Sequence, residues 1–312
     1  MNYKRLELYV WWTCNQKCTY CMEFPNMEKN WTKKVSKYDI LKKLIKYKKN
    51  WYNHVTYLWW EPFIQPVFYD ALLLWKKLNY TILVTTNAST LHIERQAQKF
   101  LAHIDELILS VEAIDKETQQ KISRTNVYVD WENVFKNIHK YWNWKYLKVN
   151  IVITKDNIEI LFDIVKYLKD KWIKDIAITY PDIDIEYYWE EHILNNVIIK
   201  YTESVQKILP IIKYCEDNKI NLKIPDFPFC VLPNDADDKY LKLTDDYDYQ
   251  TRVKILSSED ELDRKDLSNI DLTPRDRKHW TVCDECIYKN KCWWYSVWYE
   301  ELFWISEIKA IK

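Results

Sequence analysis

The chain has 312 residues, with 46 basic against 46 acidic side chains and 48% hydrophobic content. Zero net charge with this much apolar material excludes a disordered chain and a strongly basic surface built for nucleic acid. No run of 18 apolar residues and no apolar N-terminal signal core is present, which argues against a membrane span or secretion and for a cytoplasmic location.

From the N-terminus onward, β-type runs at 6–10, 55–58, 81–85, 106–111, 147–153 and 175–179 alternate with helical patterns. The helical patterns lie near 37–50, 66–78, 91–102, 130–141 and 157–171. Strands separated by helices predict βαβ units and a parallel sheet. The expected fold is therefore α/β, an open or partial (β/α)6 barrel. A long amphipathic stretch at about 190–218 and a short apolar run at 221–224 follow. After Pro225 the character changes. Residues 226–280 are polar and acidic (Asp235, Asp237, Asp238, Asp245, Asp246, Asp248), and the end is rich in cysteine and aromatics. The expected division is a barrel over 1–225 and a small cysteine-rich domain over 226–312.

Glycine is absent, and 17 tryptophans are present. A usual glycine share near 7% would give roughly 20 in a chain of this length. Glycine is the residue that serves positive φ and close approach of a ligand to the backbone. Trp172 follows a helical pattern where glycine commonly ends a helix, and Trp75 ends a helix-like run before Lys76-Lys77-Leu78-Asn79. Pairs at Trp11-Trp12, Trp59-Trp60 and Trp293-Trp294 resemble glycine loops. These positions imply that tryptophan stands where a natural parent has glycine, some of the 17 being native. Such replacement places strained side chains at several left-handed sites and works against stable folding.

Eight cysteines fall into groups. Cys14, Cys18 and Cys21 follow the first strand with spacing x3 then x2; Cys283, Cys286 and Cys292 are spaced x2 then x5; Cys215 and Cys230 stand alone. Without a secretory signal, metal sites are favoured over a disulfide framework. Zinc usually takes two close pairs, whereas three thiolates suit an iron–sulfur cluster with one iron left for a non-protein ligand. Cys215 falls on an apolar helical face and reads as a core residue. The six histidines show no ligand spacing.

Cys14-Asn15-Gln16-Lys17-Cys18-Thr19-Tyr20-Cys21 resembles the CxxxCxΦC hallmark of the radical S-adenosylmethionine (SAM) enzymes, with Tyr20 as the aromatic. The resemblance implies a [4Fe–4S] cluster whose unique iron is chelated by SAM. It also implies reductive cleavage of SAM to a 5′-deoxyadenosyl radical that abstracts hydrogen from substrate. Trp59-Trp60-Glu61-Pro62 stands where the family has Gly-Gly-Glu-Pro, which holds the SAM amino group. Two indoles there would fill the cleft. Thr85-Thr86-Asn87 is similar to the family's TTNG, with Ala88 in place of glycine. Ser110 and Glu112 match polar residues that contact the SAM ribose, and Arg124 and Asn150 are further candidates. Cys230, Cys283, Cys286 and Cys292 resemble a twitch or SPASM auxiliary domain and would hold one auxiliary [4Fe–4S] cluster. A structural zinc site with four cysteines is the alternative.

The resemblance implies a peptide or a small biosynthetic intermediate as substrate and a flavodoxin or ferredoxin as reductant. No membrane or nucleic-acid partner is expected. The cysteine motif at residue 14 leaves no room ahead of it for a leader-binding domain, which counts against the peptide. Two other functions compete: a zinc-binding cysteine-rich interaction module, and a non-functional glycine-to-tryptophan variant of the enzyme.

Overall fold

Short β-branched runs followed by amphipathic helices can bury both faces only by stacking strands in parallel beneath helices, and the chain does so. The computed structural model describes residues 5–8, 13–21, 37–57, 60–142, 146–181, 197–232, 253–255, 277–289, 292, 295–303 and 306–312. Strand β1 (Arg5–Leu8) pairs in parallel with β2 (His54–Tyr57). β3 (Thr81–Thr86), β4 (Glu106–Ser110), β5 (Tyr146–Val152), β6 (Asp175–Thr179) and β7 (Asn221–Lys223) each join the preceding strand in parallel. β8 (Val253–Ile255) pairs on the other side of β1, so the sheet order is β7-β6-β5-β4-β3-β2-β1-β8. This is the expected open α/β barrel.

The crossovers contain α1 (Lys37–Lys49), α2 (Phe68–Lys77), α3 (Glu94–Leu101), α4 (Lys116–Ser123), α5 (Trp131–Tyr141), α6 (Leu161–Asp170) and α7 (Tyr201–Asp217). Strand residues alternate between faces. Val55, Val84, Leu109, Val149 and Ile178 join the helix-side core. Their neighbours Thr56, Ser110, Lys148, Asn150 and Ala177 therefore stand on the opposite face, inside the barrel. No helix among the described residues is long and apolar enough to cross a membrane.

The helical pattern at 190–218 condenses to Tyr201–Asp217, with 182–196 outside the described residues. Helix α4 has little apolar content (Lys-Glu-Thr-Gln-Gln-Lys-Ile-Ser) and so gives no helical period. Its start is marked instead by Asp115, whose carboxylate accepts from the Thr118 N–H at 2.8 Å as an N-cap. The boundary near 225 lies between β7 and β8, and the later segment returns to the barrel. Phe229, Leu232, Tyr299 and Ile308 belong to the barrel's core, and Tyr299, in α8 (Val297–Phe303), stacks on Tyr201 at 4.0 Å. The acidic run at 235–248 lies outside the described residues.

Four helices end in the same way. Trp51, Asn79, Trp172 and Lys219 take φ of 68°, 55°, 69° and 56°. In each, this residue's N–H and the next one's reach back to the carbonyls three and five residues before them. Examples are Trp172 to Lys169 at 2.9 Å and Ile173 to Leu168 at 3.1 Å. That is the Schellman closure, which favours glycine at the left-handed position. Trp172 thus occupies the glycine-type site expected of it, and Trp51 occupies a second that its sequence context had not singled out. Both indoles are exposed, by 76% and 84%.

Trp75 differs from the expectation. It does not end its helix, which runs on to Lys77, and the left-handed cap falls on Asn79. Its ring is fully buried against Tyr57 and Phe68, at 5.7 and 6.1 Å. Trp131 and Trp142 are buried too, and their indole N–H groups donate to Ala113 and Ile104 carbonyls, each at 2.9 Å.

A left-handed tryptophan costs about 1 kcal/mol that glycine avoids. Trp51→Gly and Trp172→Gly should therefore each raise unfolding stability by about 1 kcal/mol in denaturant melts, while Trp75→Ala should lower it by about 3–5 kcal/mol.

Candidate active site

The cysteine loop, residues 13–21, has no helix or strand of its own, so its backbone groups must find partners elsewhere. On one side, Lys17 and Thr19 N–H groups donate to the Ser123 and Ile122 carbonyls at the end of α4, both at 2.9 Å. Arg124 follows with φ 50°, and its Nε donates to the Lys17 carbonyl at 2.7 Å. Arg124 is exposed and holds the loop. On the other side, the buried Gln65 carboxamide donates to the Thr13 carbonyl at 2.7 Å and accepts from the Thr13 hydroxyl at 2.9 Å. Asn15 donates to the Ser89 hydroxyl at 2.8 Å and accepts from the Asn87 carboxamide at 3.1 Å.

The three thiols face one another closely enough to interact electrostatically. Burial pushes Cys14 up to about 12, and burial together with Glu112 and the other two cysteines raises Cys18 well above the usual thiol range. Among the described residues, no three His, Cys, Asp or Glu side chains converge tightly enough for a single metal ion. A four-iron cluster gives each thiolate its own iron, so it tolerates wider sulfurs than one zinc ion does. The same irons supply the positive charge that buried thiolates lack.

Glu61 lies beyond β2, almost fully buried, and begins a short 3-10 turn at Pro62–Ile64. Its carboxylate accepts from the Thr86 hydroxyl and the Asn87 N–H at 2.8 Å, and from the Phe63 N–H at 3.1 Å. It therefore ties the end of β2 to the end of β3. Burial raises it to about 7 against those three donors. Ala88, at the family's glycine position, takes φ 58°. Trp60 is 5% exposed; Trp59 lies outside the described residues.

A shallow cleft open to solvent lies at the carboxyl ends of β3 and β4. Cys18, Asn87, Ser110 and Glu112 line it together with Gln16, Gln119 and Trp131, and Trp60 does not. Tyr20 hydrogen-bonds to Glu112, whose carboxyl is pushed up to about 7 mainly by burial. The other oxygen, Oε1, is buried with no hydrogen-bond partner. Buried acceptors rarely go unpaired in native proteins, so this oxygen fits a ligand donor such as a ribose hydroxyl. Asn150 pairs with Ser110 across β4 and β5, but its carboxamide accepts from Thr179 at 2.6 Å and stays outside the cavity lining.

The sequence matches the radical SAM superfamily over residues 10–168, just over half of the chain and the stretch that carries this site. The chain belongs to the radical SAM superfamily. It is an enzyme of that family. Membership implies a [4Fe–4S] cluster and SAM. No curated protein matches the sequence. Among solved structures, Streptococcus suis SuiB bound to its precursor peptide SuiA is 19% identical with a TM-score of 0.56, covering 71% of this chain and 48% of that one. anSMEcpe with bound AdoMet and the Cp18Cys peptide is 20% identical, TM-score 0.51, covering 70% and 62%. The FeFe-hydrogenase maturase HydG from Carboxydothermus hydrogenoformans is 12% identical, TM-score 0.50, covering 72% and 54%. At these identities the likeness shows the fold, and the chain spans about half to under two thirds of each structure.

This radical SAM chain also brings its later cysteines together. Cys230, in a 3-10 turn at Phe229–Val231, interacts with Cys292 and Cys283, and burial lifts it to about 11. The rings of Phe229 and Tyr288 stack in parallel at 5.1 Å beside them. Cys286 follows the turn Thr281–Glu285, while Trp293 and Trp294 lie outside the described residues. Cys215 is fully buried in α7, as its apolar face implied.

Sequence reasoning missed Gln65 and Asn157. The buried Asn157 carboxamide donates to the Glu112 and Val152 carbonyls at 3.0 and 2.9 Å and accepts from the Thr154 N–H at 2.8 Å. The turn Thr154-Lys155-Asp156-Asn157 gave the available signal, an Asn able to close its own loop. Asn157→Ala strands these groups and should cost about 1–3 kcal/mol, read as a lower midpoint in thermal or urea unfolding.

Proposed function

We propose that this chain is a radical SAM oxidoreductase or maturase acting on a peptide or a small biosynthetic intermediate. The observation that carries it is the mutual approach of Cys14, Cys18 and Cys21, with Cys18 lining the same cleft as Glu112 and its unpartnered oxygen, within the segment that matches the family. In this reading the three thiolates hold the [4Fe–4S] cluster. Once reduced, such a cluster would supply the electron that cleaves SAM to methionine and a 5′-deoxyadenosyl radical for hydrogen abstraction. Glu112 and Ser110 take the ribose hydroxyls. Asn87 closes the β3 side of the cavity, and Glu61-Pro62 fixes the ridge that meets the SAM amino group. Arg124 steadies the loop beneath the cluster, and Asn150 steadies β5 against β6.

Cys230, Cys283, Cys286 and Cys292 hold an auxiliary [4Fe–4S] cluster, a role supported by the mutual approach of Cys230, Cys283 and Cys292. SuiB and anSMEcpe, each solved with a peptide bound, favour the peptide class of substrate. A flavodoxin or ferredoxin is the expected reductant. In this reading Trp59 and Trp60 stand where the parent has glycines.

Anaerobic reconstitution should give broad visible absorbance, about eight irons per chain from two four-iron clusters, and 5′-deoxyadenosine on reduction with SAM. Cys14→Ala should leave about four irons and no 5′-deoxyadenosine. Stoichiometric zinc without SAM cleavage would identify the interaction module instead. Replacing Trp59 and Trp60 together by glycine should tighten SAM binding by about tenfold, or ~1.4 kcal/mol, in calorimetry. Tight SAM binding by the unaltered chain would refute the glycine assignment at those two positions.

A further inference from the structure

The Asn87 carboxamide is fixed in orientation by its own turn. Its Oδ1 accepts from the Ser89 N–H at 2.9 Å, an Asx turn made possible by the left-handed Ala88 between them. The amide oxygen is thereby assigned, and the NH2 group must face the cysteine loop. One of its hydrogens goes to Asn15 Oδ1 at 3.1 Å, and the other points to Cys14 Sγ at 3.7 Å. A second donor, the Gln16 N–H, stands 3.4 Å from the same sulfur. Cys14 thus receives two N–H groups, one from the loop itself and one from the end of β3.

Hydrogen bonds to cluster sulfurs stabilise the reduced, more negative form and raise the reduction potential. We propose that Asn87 is a redox-tuning residue: its side-chain N–H bonds the Cys14 thiolate and holds the potential of the SAM-binding cluster above the value the cysteines alone would give. This rests on the radical SAM reading of the site. It gives Asn87 a role toward the cluster that is separate from any contact with SAM. The neighbouring Asn15 acts differently, since it bonds Ser89 and Asn87 and donates to no sulfur.

The test is a redox titration of the reconstituted full-length chain without SAM, followed by electron paramagnetic resonance. The signal to follow is the one lost in Cys14→Ala. Asn87→Ala should shift its potential to a more negative value at unchanged iron content. Asn87→Asp, which keeps the acceptor for Ser89 but replaces the donor with a negative charge, should shift it further. A wild-type potential in Asn87→Ala would overturn the proposal. If Asn87→Ala fails to hold iron, wild-type chain carrying ¹⁵N-asparagine decides the matter. A side-chain nitrogen coupled to the reduced cluster upholds the bond, and no coupling overturns it. A chain that assembles no Cys14-dependent cluster would sink the radical SAM reading of the loop, and the tuning role with it.

Discussion

The placement of the cysteine loop depends on an exchange of backbone hydrogen bonds with the end of α4. A helix leaves its last carbonyls without intrahelical partners, and an irregular loop leaves its N–H groups unpaired. Here the Lys17 and Thr19 N–H groups meet the Ser123 and Ile122 carbonyls, so each element satisfies the other. Arg124 completes the joint because its left-handed backbone ends the helix and turns its guanidinium back to Lys17. Gln65 and the Asn15–Asn87–Ser89 contacts fix the opposite side. The three thiols are therefore held by side chains and strand ends remote in sequence, which is what lets an irregular segment keep a defined geometry.

That geometry is electrostatically unfavourable without a positive ligand. Cys14, Cys18, Glu61 and Glu112 are all pushed toward their protonated forms, chiefly by burial. Four acidic groups gathered in a low-dielectric cleft repel one another once ionised. Glu61 is compensated by three protein donors; Glu112 keeps an oxygen unpaired. In the proposed function, positive charge arrives at the sulfurs and hydrogen-bond donors at Glu112, as an iron cluster with a sugar-bearing ligand would supply them.

Much of this was legible in the sequence because it is local. Alternating strand and helix periods gave the open parallel barrel, and the x3–x2 cysteine spacing gave the loop. The residues expected at strand ends proved to share one cavity in the cases of Cys18, Asn87, Ser110 and Glu112. Arg124 and Asn150 were placed near the site by pattern, but their partners, Lys17 and Thr179, are set by tertiary contacts that no spacing reveals. Gln65 was illegible for the same reason: a single carboxamide carries no period, and its partner Thr13 lies 52 residues away. Asn157 left a local sign in its own turn, but its bond to the Glu112 carbonyl, 45 residues away, was hidden. Helix α4 was hidden because a polar helix has no apolar stripe, leaving its Asp115 cap as the sole local mark.

The tryptophan positions follow the same division between local and tertiary information. Positive φ is a backbone property that the helix ends demand whatever residue is supplied, and Trp51 and Trp172 accept it with their indoles in solvent. Exposure keeps the cost there to the backbone alone. Trp60 has no such outlet: it is buried beside Glu61. Composition could not separate these cases, because it counts tryptophans without their surroundings. The exposed left-handed sites bear on backbone strain and the buried Trp60 bears on packing, so one type of residue meets two different physical demands.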